Sequence, residues 1–185
     1  EMSASLVGSE MCIRDRIKGG LLAGFSEDIN DKFHALDEKA SVASFALRWV
    51  GSLPNVKVIL SGMTTMEQVD DNLATFEKFV PLSDKEQATI KEVVETLEAR
   101  VQNGCTGCRY CMPCPAGVNI PGCFKIWNNY HIYQNFASES RDWNNMPASE
   151  KPDHCIKCGK CEKACPQKLQ IRKDLEKVWA ELGDQ

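Results

Sequence analysis

The 185 residues suffice for one ordinary domain or two small ones. A net charge of −4 gives no electrostatic reason to expect nucleic acid or an anionic membrane as partner. No apolar run reaches the roughly 18 residues that a membrane span requires.

Taken in chain order, Ser5 to Arg16 (SLVGSEMCIRDR) has no caps, no steady periodicity and no partner for Cys12. It resembles the translation of a transposon-end sequencing adapter. Residues 1–16 are therefore expected to be an unstructured fusion scar, and the chain the C-terminal piece of something longer. IKGG, Ile17 to Gly20, reads as a glycine turn. Ser26 is placed to cap a short helix with Ile29, Phe33 and Leu36 on one face. Ser41 opens a second helix in which Val42, Phe45, Ala46, Trp49 and Val50 form the apolar face and Gly51 the stop. After the turn at Pro54-Asn55, VKVIL (Val56 to Leu60) is short, β-branched and bounded by turn signals. It is expected to be a buried strand of parallel-sheet type.

A helix should follow Ser61-Gly62, with Thr65 and Gln68 as a capping box and Val69, Leu73 and Phe76 as its stripe. Pro81 separates it from the next, where Ser83 and Glu86 form another box. There Ile90, Val93, Val94, Leu97 and Val101 repeat at helical spacing, and Asn103-Gly104 ends the helix. Farther on, Phe124, Trp127, Ile132, Tyr133 and Phe136 suggest one or two short helices, with Trp127, Trp143 and Trp179 as core. A C-terminal helix would carry Ile171, Leu175, Val178 and Leu182 on one face.

The outlying feature is cysteine, ten in all. Eight fall into two tight runs, CTGCRYCMPCP (Cys105 to Pro115) and CIKCGKCEKACP (Cys155 to Pro166), about 40 residues apart. Cys at i and i+3 in a loop converge on one point, which suits a metal better than a disulfide staple. That usage belongs to a reducing compartment, so a cytoplasmic location is expected. C-x2-C-x2-C lets one loop offer three thiolates to a cubane cluster. In two-cluster chains the fourth comes from the Cys before Pro in the other run. The expected sets are Cys105, Cys108, Cys111 and Cys165 for one cluster, and Cys155, Cys158, Cys161 and Cys114 for the other.

Two zinc sites of four cysteines are the rival reading, although zinc usually takes C-x2-C pairs split by a longer spacer. The first run has two residues rather than three before its last Cys, with Pro113 in that gap, so Cys114 departs most from the pattern. Lys157, Lys160, Lys163 and Arg109 would offset the negative charge of thiolate-ligated clusters, or simply form a solvated basic face. Cys123 reads as a small buried residue, and His154 as an unneeded ninth donor.

The thiol region with its spacer resembles an α-helical dicluster ferredoxin domain. The preceding part resembles the end of an aldo/keto reductase barrel, on KGG at Lys18 to Gly20, ASFALRWV at Ala43 to Val50, and VILSGMTTMEQVDDNLATF at Val58 to Phe76. The resemblance implies a mainly α chain with a small α/β part. Residues 17–101 would be the last β/α units of an incomplete (β/α)8 barrel, and residues 102–185 the dicluster domain. It further implies an oxidoreductase that passes electrons through two [4Fe–4S] clusters and uses NAD(P)H in the intact parent. Ser61, Gly62, Met63 and Thr64 would lie along the ribose-phosphate, and Gln68, Asp71 and Asn72 would meet the adenine. The implied partners are a small carbonyl or other redox substrate for the parent, and an external electron-transfer partner. The family's catalytic residues lie on earlier strands, so no catalytic residue is assigned. The fragment alone should carry electrons but reduce no carbonyl; a stand-alone electron-transfer module and a zinc-stabilised interaction module are the alternatives.

Overall fold

The computed structural model describes residues 5–7, 10–13 and 25–183. The described chain is mostly helical and separates into two compact units, Glu1–Glu95 and Thr96–Gln185. The glycine turn expected at Ile17 to Gly20 lies outside the described residues.

In the first unit, α1 (Glu27–His34) buries Ile29 and Phe33, and α2 (Val42–Gly51) buries Val42, Phe45, Leu47 and Val50. The rings of Phe33 and Phe45 meet at 5.1 Å between centroids, which joins the two faces. Ser41 caps α2 by accepting from the Ser44 backbone N–H at 3.0 Å. Trp49, expected on the core face, is 49% exposed, and Leu47 takes its place as a fully buried residue. Helical spacing marks a stripe, but only the packing partner decides which edge of that stripe is covered.

The strand β3 (Val56–Ile59) pairs in parallel with β2 (Glu10–Ile13), which pairs antiparallel with β1 (Ser5–Val7). Residues 1–16 were expected to carry no structure; of these, Glu10–Ile13 pair with the edge of β3, and Ser5–Val7 with β2. The parallel pairing of β3 agrees with its sequence, but its burial does not. Val58 is 48% and Leu60 46% exposed. A β-branched run is covered on both faces only when helices flank a complete sheet, and no barrel is present among the described residues.

The helix α3 (Met66–Glu77) starts at Thr65, whose hydroxyl accepts from the Gln68 N–H at 3.4 Å. The return arm of the box goes one residue upstream of the expectation: Gln68 Oε1 accepts from the Thr64 N–H at 2.8 Å. The α3 stripe is not a core either, with Leu73 64% exposed. At α4 (Asp84–Ala99) the box is reciprocal, the Ser83 N–H donating to Glu86 Oε2 at 2.7 Å and the Glu86 N–H to Ser83 Oγ at 3.4 Å. Of its predicted face only Val93 is buried, while Val94 and Val101 are exposed.

Among the described residues, the second unit has the larger apolar core. Helices α5 (Ile120–Tyr133), α6 (Phe136–Asn145) and α8 (Ile171–Leu182) pack together, with short 3₁₀ turns at Ala148–Glu150 and Pro152–His154. Ile171, Leu175, Val178 and Leu182 are all buried, as their spacing predicts. They meet Phe124 and Trp127 of α5 and Trp143 of α6. Trp179, expected in the core, is 37% exposed at the margin, its ring 6.5 Å from that of Trp143. The Trp127 indole N–H donates to Glu181 Oε2 at 2.7 Å, so this buried ring keeps its polar atom satisfied. No helix is long and apolar enough to cross a membrane among the described residues.

Candidate metal centres

The two cysteine runs share a backbone plan that reaches beyond the thiols. The middle Cys of each triplet is flanked on both sides by left-handed residues: Gly107 (φ 69°) and Arg109 (φ 65°) around Cys108, Lys157 (φ 55°) and Gly159 (φ 72°) around Cys158. Such turns fold three successive thiols around one corner and bend backbone amides toward the same concavity. Each Cys-Pro then enters a turn closed three residues later. The Gly117 N–H donates to the Cys114 carbonyl at 3.0 Å, and the Lys168 N–H to the Cys165 carbonyl at 3.2 Å. Both closing residues are left-handed, Gly117 at φ 82° and Lys168 at φ 54°. A helix starts three residues on in each case, α5 at Ile120 and α8 at Ile171. CPAGVNI and CPQKLQI are therefore two copies of one element.

These elements bring the eight thiols to two voids of near-equal size. One, with a cavity volume of about 20 Å3, is lined by Cys105, Cys108, Cys111 and Cys165, backed by Ile120, Phe124 and Ile171. The other, also about 20 Å3, is lined by Cys114, Cys155, Cys158 and Cys161, backed by Ile120 and Leu175; Cys111 also reaches its wall. The runs thus exchange their last cysteine. The extra residue of the second run is accommodated by the one-turn helix α7 (Lys160–Ala164), while the first run turns through a cis Met112–Pro113 peptide. Burial pushes the Cys111 thiol up, helped by the neighbouring Cys105, Cys108 and Cys165. Burial likewise raises the Cys161 thiol. Cys165 is buried, whereas Cys108 and Cys158 reach the surface.

Cys123 lies in neither void. It is fully buried in the α5 core, its Sγ 3.8 Å from Met146 Sδ and 3.8 Å from the Glu150 carbonyl oxygen. His154 is exposed beside Asp153.

Charged groups surround the second void. Arg172 grips Glu162 with Nε and Nη2 at 2.9 and 2.8 Å, and its Nη1 donates to the Lys157 carbonyl at 3.3 Å. The Arg172 guanidinium holds the Glu162 carboxyl below the usual carboxylate range. Lys157 Nζ meets Glu176 at 2.6 Å and does the same for that carboxyl.

The approach to the first void is fixed by a buried polar network that sequence reasoning missed. Asn103 is 4% exposed. Its Oδ1 accepts from the Cys105 N–H at 2.9 Å, and its Nδ2 donates to Asp174 Oδ2 at 2.7 Å. Asn128 completes it, accepting from the Gln102 and Asn103 N–H groups at 3.0 Å and donating to the Asn103 carbonyl at 2.7 Å. Asn103-Gly104 carries a helix-stop signal in sequence, and nothing local says that its partners sit on α5 and α8.

The residues expected to hold a nucleotide are gathered at the β3–α3 turn. Gly62, Met63, Thr64 and Gln68 are exposed, while Ser61, Asp71 and Asn72 are half-buried. Three of the side chains are committed within the chain. Asp71 Oδ2 accepts from Ser41 Oγ at 2.6 Å, Asn72 Nδ2 donates to Ser61 Oγ at 3.2 Å, and Gln68 bonds the Thr64 N–H. At the start of α3, where free N–H groups would favour a phosphate, the Glu67 carboxylate accepts from its own N–H and from Thr65, and is held below its usual range by those bonds.

Residues 104–174 match a 4Fe–4S dicluster domain. Residues 26–95 match the aldo/keto reductase family. The chain therefore joins an aldo/keto reductase region to a 4Fe–4S dicluster domain, a pairing that indicates an oxidoreductase with iron–sulfur electron transfer. The dicluster match ends inside α8, so it takes in both cysteine runs and both helix starts. No curated protein and no solved structure matches the chain.

Proposed function

We propose that the chain is the electron-carrying portion of an aldo/keto reductase-type oxidoreductase, with one [4Fe–4S] cluster in each void. Cys105, Cys108, Cys111 and Cys165 would ligate one, and Cys155, Cys158, Cys161 and Cys114 the other. The observation that carries this reading is the lining of two similar voids by four thiols each, drawn from both runs. Bound clusters supply one-electron transfer at potentials set by burial, charge and hydrogen bonding. The chain's own residues supply the rest. The left-handed turns aim the thiols, Ile120, Phe124, Ile171 and Leu175 exclude water, and Lys157 and Arg172 place positive charge beside one site. A zinc reading fits the spacing less well, because zinc usually takes C-x2-C pairs split by a longer spacer rather than three thiols in a row.

The aldo/keto reductase match supports reading the protein as a carbonyl-directed or similar redox enzyme linked to NAD(P)H, and its cysteine usage supports a cytoplasmic location. This chain, in which no catalytic residue is assigned, should itself reduce no carbonyl. Anaerobic purification followed by metal and sulfide analysis tests the reading. Iron with acid-labile sulfide and a broad absorbance near about 400 nm are expected; zinc without sulfide, or NADPH-dependent carbonyl reduction by this chain, would overturn it.

A further inference from the structure

The charge of the chain is unevenly spread. Residues 151–177 hold eight Lys and Arg against four Asp and Glu, in a chain whose net charge is −4. Part of that excess borders one of the two voids, with Lys157 and Arg172 on its lining, while Leu169 joins the adjoining groove to the other. Beside the Cys114–Cys155–Cys158–Cys161 void an open groove is lined by Lys157, Lys168, Arg172 and Lys173, with Glu162 and Glu176 on its walls. Both acids are already taken, Glu162 by Arg172 and Glu176 by Lys157. Lys168 and Lys173 therefore face the groove with no acidic partner among the described residues, and Lys160 and Lys163 are exposed on α7. Next to the groove the void reaches the surface at Cys158, and Ile156 stands 65% exposed beside it. The other void opens near Tyr110 and Cys108, where Arg109 is the one cation on its lining.

An exposed isoleucine beside the surface-reaching thiol of a candidate redox site, rimmed by cations of which Lys168 and Lys173 are uncommitted, has the form of a small, transient electron-transfer interface. Such contacts are small, and complementary charge sets their encounter rate and orientation. We infer that the Ile156–Cys158 surface, with Lys157, Lys168, Arg172 and Lys173, is the docking face for a small acidic electron-carrier protein. The inference rests on the cluster reading and adds to it which of the two sites faces the partner. The exposed isoleucine at the centre favours a protein over a nucleic acid, whose backbone would need only the cations.

The test uses the full chain, loaded anaerobically, and a small acidic ferredoxin as the probe. Binding is followed by calorimetry at low and high salt. Affinity should fall about tenfold or more as salt rises, and again in K168E/K173E, while K85E/K91E on α4 leaves it unchanged. I156S should weaken binding as well, without altering the salt dependence. Iron and sulfide content are measured for every variant. An iron-free parent chain would remove the cluster reading itself. Full cluster content with no probe binding by the parent, or with equal binding by K168E/K173E, would overturn the docking face alone. Tighter binding of a single-stranded oligonucleotide than of the ferredoxin, lost in K168E/K173E, would overturn it in favour of a nucleic-acid surface.

Discussion

Asn103 and Asp174 lie 71 residues apart in sequence and 2.7 Å apart in space, joined by a bond from Nδ2 to Oδ2. The same Asn103 side chain accepts from the Cys105 N–H, so the first ligand loop is tied to α8, the helix that the second loop leads into. Replacing Asn103 by Ala leaves a backbone N–H and a carboxylate oxygen without their partner in a nearly buried position. The expected loss is about 1–3 kcal/mol of stability in the second unit, read as a lower urea midpoint of the anaerobic chain. N128A should cost a similar amount, and N103A/N128A less than the sum, since the two residues share one network. Strict additivity would show that they act separately.

The crossed lining of the voids gives a sharper expectation. Cys165 belongs to the second run, yet lines the void of Cys105, Cys108 and Cys111. Cys114 belongs to the first run, yet lines the void of Cys155, Cys158 and Cys161. C165S and C114S should each remove about half the iron, and the lost half should differ in its electron paramagnetic signal. C165S combined with C155S should strip both sites, whereas C165S combined with C105S should strip only one. If C165S/C105S and C165S/C155S lose equal iron, the exchange of ligands is wrong.

Cys123 supplies a pH signature separate from the ligands. Its burial pushes the thiol from an ordinary 9.0 up to about 12. In the unfolded chain it ionises near the ordinary value, so between about 9 and 12 the folded state holds a proton that the unfolded state has lost. By linkage, stability then falls as pH rises through that window. C123A should flatten this part of the stability profile, and iodoacetamide at mildly alkaline pH should label Cys123 only after denaturation. An unchanged slope in C123A, or ready labelling of the native chain, would contradict the burial of this thiol.

What the sequence made legible was whatever is written locally. The caps at Ser41, Thr65 and Ser83 are read within three residues, and the Ile171–Leu182 face within four turns. The thiol spacing, taken with the ligand exchange of two-cluster chains, groups the cysteines as the linings of the two voids do. The copy relation between CPAGVNI and CPQKLQI was also within reach: a Cys-Pro, a turn, and an Ile opening a helix, at the same offsets. What failed were inferences about cover. Trp49, Val58, Leu73 and Trp179 carry the right pattern for burial, but a pattern names a face without naming what packs on it. The Asn103–Asn128–Asp174 network was illegible for the complementary reason, because each member looks like ordinary surface polarity until three distant segments meet.

Arg48 offers a test in the first unit. Its Nη1 donates to Glu86 Oε1 at 2.7 Å and its Nη2 to Glu86 Oε2 at 3.2 Å, while Nε donates to the Val80 carbonyl at 2.8 Å. Both side chains are mostly covered, at 17% and 15% exposure, so the pair is better shielded from water than a surface ion pair. One guanidinium thus fastens α2 to the segment that leads into α4. Burial works against the Glu86 carboxylate, but the bonds from Arg48 and Ser83 outweigh it and hold the carboxyl below its ordinary 4.5. A depressed carboxyl contributes stability above the unfolded value, and that contribution is lost as pH falls through the folded one. R48M should therefore cost about 2–3 kcal/mol near neutral pH and less in acid, where Glu86 is protonated in both states. R48K should recover only a minor part, because an ammonium cannot span both carboxylate oxygens and the Val80 carbonyl together. Full rescue by Lys, measured by urea unfolding of the first unit, would mean that charge alone and not the fork geometry holds this junction.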